Sequence, residues 1–497
     1  MSPYVRTVRT ASGAVAVQIV HSSRRGSRDI EHVGSAHDDA ELAALKAAAE
    51  QRMRAGQGEL ELGLVAAAGG RPLAITGSRM EHLWEALSRA YRVLGFADAA
   101  DADEVFAALV LARIIEPTSK LDSLRVLGEI GIAPPSYATV KRRLPVFATE
   151  AFRQRVAAAC AGHAGLGPAS LVLYDVSTLY FEIDAGDGFR EPGFSKERRL
   201  EPQITIGLLT DATGFPLMVN AFEGNRAETT TMLPVIESFT AAHRLSDVTI
   251  VADAGMISDA NRRAIEAAGL SFILGMHIPQ VPYVVAEWRE RHPGADIPDG
   301  HVFRQPWPAG ASDRRRDQVI YYQYRADRAR RTLRGIDEQV AKAEKAVAGK
   351  APVKRNRFLT LTGGTRTVNR TLEAKARALA GLKGYITNLV ATGEFVIDAY
   401  HRLFHIEKSF RMSKHDLQAR PIYHHKRESI EAHLTIVFAA LAISRWVENR
   451  TGWSIRRFVH TARRYRTIEI QAGGAHTVTA ADPLPDDLLA ALTAIHH

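Results

Sequence analysis

The chain has 497 residues, 46% of them hydrophobic, which is enough for about two to four folded units and too much for one ordinary core. Its 64 Lys+Arg against 55 Asp+Glu leave a net charge of +9, a balance that suits a polyanionic partner such as nucleic acid. One cysteine, Cys160, excludes a disulfide framework and a cysteine-based zinc site and fits a reducing compartment, the cytoplasm.

The first ten residues carry Arg6 and Arg9 without the apolar run that a secretion signal needs. Residues 4–22 read as a β-hairpin, with Val5, Val8 and the alternating stretch 14–20 on either side of a turn at Ala11-Ser12-Gly13. A basic loop, Arg24-Arg25-Gly26-Ser27-Arg28, leads to a helix over 38–54, and Gly69-Gly70 closes this first region near residue 75. Residues 76–165 read as a helical DNA-binding region, with Trp84, Leu87, Tyr91 and Leu94 at helical spacing and a second run over 105–115. Within it, a capped start at Pro134-Pro135-Ser136 precedes Lys141, Arg142 and Arg143, the pattern of a helix that reads DNA; a solvated basic face is the alternative.

Residues 166–280 turn β-rich. Strands are expected over 171–174, 204–209, 216–222, 248–252 and 271–274, with a helix over 261–268, so the fold class is α/β: a mixed sheet flanked by helices. Residues 281–380 are polar, with Arg314-Arg315-Arg316, a charged helix over 326–348, Lys354-Arg355 and short threonine-rich strands, and read as an insertion. A strand over 384–389 resumes the sheet, and helices over 395–413 and 430–449 complete the region 381–497. The most apolar stretch, 434–442, is too short to cross a bilayer and is expected to be a core helix, so no membrane partner is expected.

Two of the strands deliver Asp175 and Asp253 to a rigid sheet, and like charges brought together in a cleft repel unless a cation lies between them. Hard oxygen ligands select Mg²⁺ or Mn²⁺, and two such ions about 3.5–4 Å apart support phosphoryl transfer. A third carboxylate, Glu407, lies in a helical stretch where Tyr400, Leu403, Glu407, Phe410, Arg411 and Lys414 share one side, with Glu407 and Lys414 roughly 10 Å apart along the axis. An amphipathic helix with surface ion pairs is the alternative. His401 and His405 lack the following Glu of a zinc-protease motif, and no glycine loop has a Lys-Ser/Thr ending.

The chain resembles the DDE transposases of bacterial insertion sequences, in the branch with a Tyr-x2-Arg-x3-Glu-x6-Lys signature. The resemblance rests on Tyr174-Asp175-Val176-Ser177-Thr178-Leu179-Tyr180-Phe181-Glu182, Gly193-Phe194-Ser195-Lys196, Phe222-Glu223-Gly224-Asn225, Val251-Ala252-Asp253-Ala254-Gly255-Met256, and the segment 400–434 with Arg420-Pro421 and Ala432-His433-Leu434. It implies a ribonuclease-H-like fold whose acidic triad, Asp175, Asp253 and Glu407, binds Mg²⁺ (or Mn²⁺). It further implies that Tyr400 and Lys414 touch DNA near the scissile phosphate, and Arg411 lies on the same basic flank. The signature's Arg falls on Leu403, a departure that leaves the triad intact. Asp253 and Glu407 lie 154 positions apart, and the resemblance implies a mostly β insertion between them.

The function expected is a transposase that binds the inverted-repeat ends of its element, cleaves double-stranded DNA and joins it to a target, acting as a homodimer on DNA in the cytoplasm. The alternatives are a catalytically silent DNA-binding derivative and a structure-selective nuclease of the same fold.

Overall fold

The computed structural model describes residues 4–10, 13–22, 28–54, 74–167, 169–193, 201–243, 248–256, 258–309, 317–352, 356–362, 365–420, 422, 424–471 and 477–496. The expectations for Ala11-Ser12, Arg24-Arg25, Gly69-Gly70, Ser195-Lys196, Arg314-Arg315-Arg316, Lys354-Arg355 and Pro421 lie outside the described residues. The chain divides into two compact units, one formed by Met1–Ala159 with Met412–His497 and the other by Cys160–Arg411.

The first unit begins with strands β1 (Tyr4–Arg9), β2 (Val15–Ser22) and β3 (Arg28–Ala36), which pair antiparallel in that order. Helix α1 (Asp39–Arg54) packs Ala49 onto Val17 and Ile19 of this sheet. β3 escapes the sequence reading because Arg28, Asp29, Glu31 and His32 interrupt any apolar alternation. Strand β4 (Ala74–Arg79) precedes six helices: α2 (Glu81–Val93), α3 (Phe96–Ala99), α4 (Glu104–Ile115), α5 (Asp122–Glu129), α6 (Tyr137–Ala148) and α7 (Glu150–Ala164). Phe106, Phe147 and Phe152 form a buried aromatic triangle with centroids 4.9 to 5.2 Å apart, tying α4, α6 and α7 together.

The second unit is built on an eight-stranded mixed sheet. Its elements in chain order are β5 (Leu171–Tyr180), β6 (Gln203–Asp211), β7 (Pro216–Glu223), α8 (Met232–His243), β8 (Thr249–Ala252), α9 (Asp259–Ala267), β9 (Ser271–Met276) and α10 (Tyr283–Arg291). Then come β10 (Val302–Trp307), β11 (Gln318–Tyr324), α11 (Ala326–Val347), β12 (Leu359–Thr362), β13 (Thr365–Val368), α12 (Arg370–Ala378), β14 (Leu382–Thr387), α13 (Gly393–His401) and α14 (Leu403–Arg411). The spatial order is β10-β11-β14-β9-β8-β5-β6-β7, with β8 parallel to both β5 and β9 and the remaining pairs antiparallel. The segment expected as an insertion therefore contributes β10 and β11 to the main sheet. Its other part gathers a separate small core from Ile336, Val340, Ala343, Phe358 and Ala376, around α11.

Helices cover both faces of this sheet. Successive side chains of a strand point to opposite faces. Tyr174 sends its hydroxyl 2.9 Å to Thr231 Oγ1 at the head of α8, so α8 lies on one face. Asp175, the next residue, points to the other, where α14 packs on β5 and β6 and α13 on β8, β9 and β14. All but the last residue of β6 is buried, as a strand covered on both sides requires.

The chain then returns to the first unit with α15 (Arg427–Thr451), α16 (Ile455–Ala462), β15 (Thr467–Gln471), β16 (Thr477–Ala481) and α17 (Asp486–His496). β15 lies between β4 and β16. By length and composition α15 is long and apolar enough to cross a membrane, a longer element than the stretch 434–442 suggests. Yet 94% of its apolar window is buried inside the protein, where α2, α4, α6 and α17 surround it as a core helix.

Candidate active site

The site forms where parallel strands β5 and β8 lie side by side. Their register pairs Tyr174 with Ala252, the last pair of the ladder, and Asp175 and Asp253 are the residues that follow it on the two strands. β8 stops at Ala252, and a 3-10 turn, Ala254–Met256, follows Asp253 and leaves its carboxylate exposed. β5 runs on to Tyr180, so Asp175 sits midway along its strand, half-buried, with Oδ1 accepting from the amide of Val176 at 2.8 Å.

The single helix expected over 395–413 is broken. α13 ends at His401 and α14 starts at Leu403, with Arg402 capping the first. At the junction Arg402 N donates to Ala399 O at 3.2 Å and His405 N to Arg402 O at 2.8 Å, three-residue bonds that interrupt the α pattern. Positions 400, 403, 407, 410, 411 and 414 thus do not share one helix side. Tyr400 lies on α13, Glu407 and Arg411 on α14, and Lys414 in a π-type turn, Met412–Asp416, that belongs to the first unit.

The break suits the site. Tyr400, only 4% exposed, inserts its ring above β14 and β9 and donates its hydroxyl hydrogen to Asp253 Oδ1. Gly275 of β9 makes room: a Cβ there would stand 2.6 Å from the Tyr400 hydroxyl. Burial, the bond to Asp253, and the charges of Asp253 and Asp175 push the Tyr400 phenol well above its ordinary range, so it remains a donor. Glu407 is exposed on α14, the helix that packs on β5. Ser409, two residues on, ties α14 to the β6–β7 turn by a 2.7 Å bond to Gly214 O.

Lys383 completes the cluster, and the sequence reading missed it. β14 begins at Leu382, one residue before Lys383, and strand alternation puts Lys383 and Tyr385 on the face that meets α13. The Lys383 ammonium lies 4.3 Å from the Tyr400 ring centroid and 5.8 Å from that of Tyr385. Burial, with Arg328 adding to it, pulls Lys383 below the usual lysine range, while the carboxylates of Asp253 and Glu407 pull it back up. Asp175 and Asp253 both act on Tyr400, and Asp253 and Glu407 both act on Lys383. The second unit therefore gathers Asp175, Asp253, Glu407 and Tyr400 around one cation-bearing patch.

The donor chemistry fits a hard divalent cation: carboxylate oxygens without sulfur or imidazole, two of them on adjacent rigid strands. Among the described residues no three His, Cys, Asp or Glu side chains already converge as a metal cage, and Tyr400 and Lys383 hold the acidic charge instead.

The remaining basic candidates belong to the first unit. On α6, Ser136 caps the helix by accepting from Thr139 N at 3.1 Å, and Val140, Leu144 and Phe147 face inward. Lys141 is exposed and lies 4.8 Å over the Tyr137 ring, and Arg142 is exposed. Arg143 is drawn inward, its Nε 2.6 Å from Asp103 Oδ2.

A family model described as a transposase DDE domain matches residues 167–443, more than half of the chain and a span that includes Asp175, Asp253 and Glu407. Among solved structures, a piggyBac transposase synaptic complex with hairpin DNA, determined by cryo-EM, aligns at TM-score 0.39 and 10% identity, covering 77% of this chain and 70% of that one. No curated protein matches.

Proposed function

This chain belongs to the transposase DDE domain family, and from that premise we propose that it binds the inverted-repeat ends of a bacterial insertion sequence, cleaves the DNA and joins the freed ends to a target. Asp175, Asp253 and Glu407 are the acidic triad of a ribonuclease-H-like catalytic unit. The observation that carries this reading is the lateral register of β5 and β8, which sets Asp175 beside Asp253, together with the shared influence of Asp253 and Glu407 on Lys383. Carboxylates drawn together from distant chain segments repel one another, so packing alone does not favour gathering them at one patch.

When bound, Mg²⁺ (or Mn²⁺) supplies activation of an attacking hydroxyl and stabilisation of a leaving oxygen. The chain's own residues do the rest. Asp175 and Asp253 present oxygens from a sheet that does not yield. Tyr400 fixes the Asp253 carboxylate by donating to one oxygen, and Lys383 offsets the acidic charge until a phosphate and its cation arrive. Arg411 and Lys414 carry positive charge toward the DNA near the scissile phosphate. Lys141 and Arg142 on α6 neutralise backbone phosphates of the element's ends, with Arg143 at the flank of the same helix. The protein acts on double-stranded DNA as a homodimer, in the cytoplasm.

The test is a nicking assay on a plasmid bearing the inverted repeats that bracket this reading frame. Asp175→Asn, Asp253→Asn and Glu407→Gln should each abolish cleavage in Mg²⁺ while end binding persists. Retained cleavage in any one purified variant would sink the assignment.

A further inference from the structure

The first unit buries a group of basic side chains that has no acidic partner among the described residues. Arg113 on α4 is 4% exposed, Lys120 in the loop after α4 is 5% exposed, and His433 on α15 is 3% exposed. His424, just before α15, is the partly exposed member, its ring centroid 5.9 Å from that of His433. His433 Nε2 lies 3.1 Å from the carbonyl of Ala419, which can only accept, so Nε2 carries the hydrogen. Nδ1 of the neutral ring is then the acceptor for Lys120 Nζ at 2.8 Å. The Arg113 guanidinium, with five donors, has no hydrogen-bond or ion-pair partner among the described residues.

Among the described residues, the side chains that act electrostatically on these groups are themselves basic. Burial, then Arg113, pulls Lys120 far below the lysine range; burial, then Lys120, Arg113 and His424, does the same to His433; burial, then Lys120, Arg113 and His425, holds His424 at about 4. Buried cations are ordinarily paired. A fold that retains an arginine, a lysine and two histidines around one interior point, with arginine donors unused, is arranged for a multivalent oxyanion that enters from outside.

We propose that Arg113, Lys120, His424 and His433 form an anion site that takes a single phosphate group. The group comes either from a nucleic-acid backbone or from free phosphate.

The experiment titrates the full-length protein with sodium phosphate, against sodium chloride at matched ionic strength, by calorimetry and thermal unfolding. Phosphate should bind and raise the melting temperature where chloride does not. Lys120→Met and Arg113→Met should each weaken phosphate binding at least about ten-fold, as loss of a charge-assisted hydrogen bond implies. His424→Gln, at a partly exposed position, should weaken phosphate binding several-fold with the fold intact. The proposal is overturned if phosphate has no effect beyond chloride or if His424→Gln leaves its affinity unchanged. Competition between phosphate and a short duplex oligonucleotide would assign the site to a backbone phosphate; simultaneous binding would assign it to free phosphate.

Discussion

Tyr400 donates its phenolic hydrogen to Asp253 from a different helix than the one that bears Glu407, so one oxygen of the second aspartate is aimed before any substrate arrives. The donor is itself held: its ring meets Tyr385 edge-on at 4.9 Å, under the Lys383 ammonium.

Removing that donor should be felt as a loss of aim. Tyr400→Phe is expected to lower cleavage by about 10–100-fold, the usual effect of deleting a group that orients a ligand, and to raise the Mg²⁺ concentration needed for half-maximal rate. A Mg²⁺ titration of plasmid nicking checks this. An unchanged midpoint and rate would show that the bond is dispensable.

The space under the ring can be probed separately. Gly275→Ala brings a methyl within 2.6 Å of the Tyr400 hydroxyl and should destabilise the protein by about 1–3 kcal/mol through overpacking. In a Tyr400→Ala background the ring atoms that this methyl would meet are gone, so the cost should shrink, with a coupling of at least about 0.5 kcal/mol in a double-mutant cycle read by urea unfolding. Strict additivity would place the strain elsewhere.

Glu407 depends on where α14 is moored. Ser409→Ala leaves the Gly214 carbonyl without its buried donor and should cost about 1–3 kcal/mol in urea unfolding. Cleavage by the folded variant should fall too, since the helix carrying Glu407 loses its tie to the β6–β7 turn. Stability lost with full activity retained would mean that packing on β5 alone positions Glu407.

Acid stability should report on the first unit. Burial works against the charge of Glu129, but a hydrogen bond from His32, the Arg125 charge and a bond from Ser35 outweigh it and hold the carboxyl at about 2 instead of its ordinary 4.5. Depressed in the folded state, this group contributes stability that is fully present above pH 4.5 and is lost as pH falls toward 2. Glu129→Gln should therefore flatten the decline between those limits, measured as urea midpoints at pH 6 and pH 2.5. An equally steep decline would assign the acid transition to other carboxylates.

Much of the eight-stranded sheet was legible because its strands announce themselves. The runs at 171–174, 204–209, 216–222, 248–252 and 271–274 are apolar and bounded by turn residues, and each lies within or overlaps an observed strand. Neighbours are harder to read. That β5 lies beside β8 in a register setting Asp175 next to Asp253 is a long-range choice that no local pattern encodes. The break at Arg402 is hidden because the residues on both sides favour helix and no Gly or Pro marks the spot. Lys383 was overlooked as the polar residue before an apolar strand, and only the sheet's alternation reveals which way it faces. β3, with charges among its apolar positions, reads as loop and emerges as a strand only through its pairing with β2.

The one-residue joint between α13 and α14 has a consequence for how this sequence can vary. With each added or deleted residue a helix rotates its downstream side chains by about 100°. Loss or gain of a single position between His401 and Leu403 would swing Glu407 off the acidic patch while leaving Tyr400 seated, so the spacing across that joint is a fixed gauge, intolerant of length change even where it would accept a different side chain.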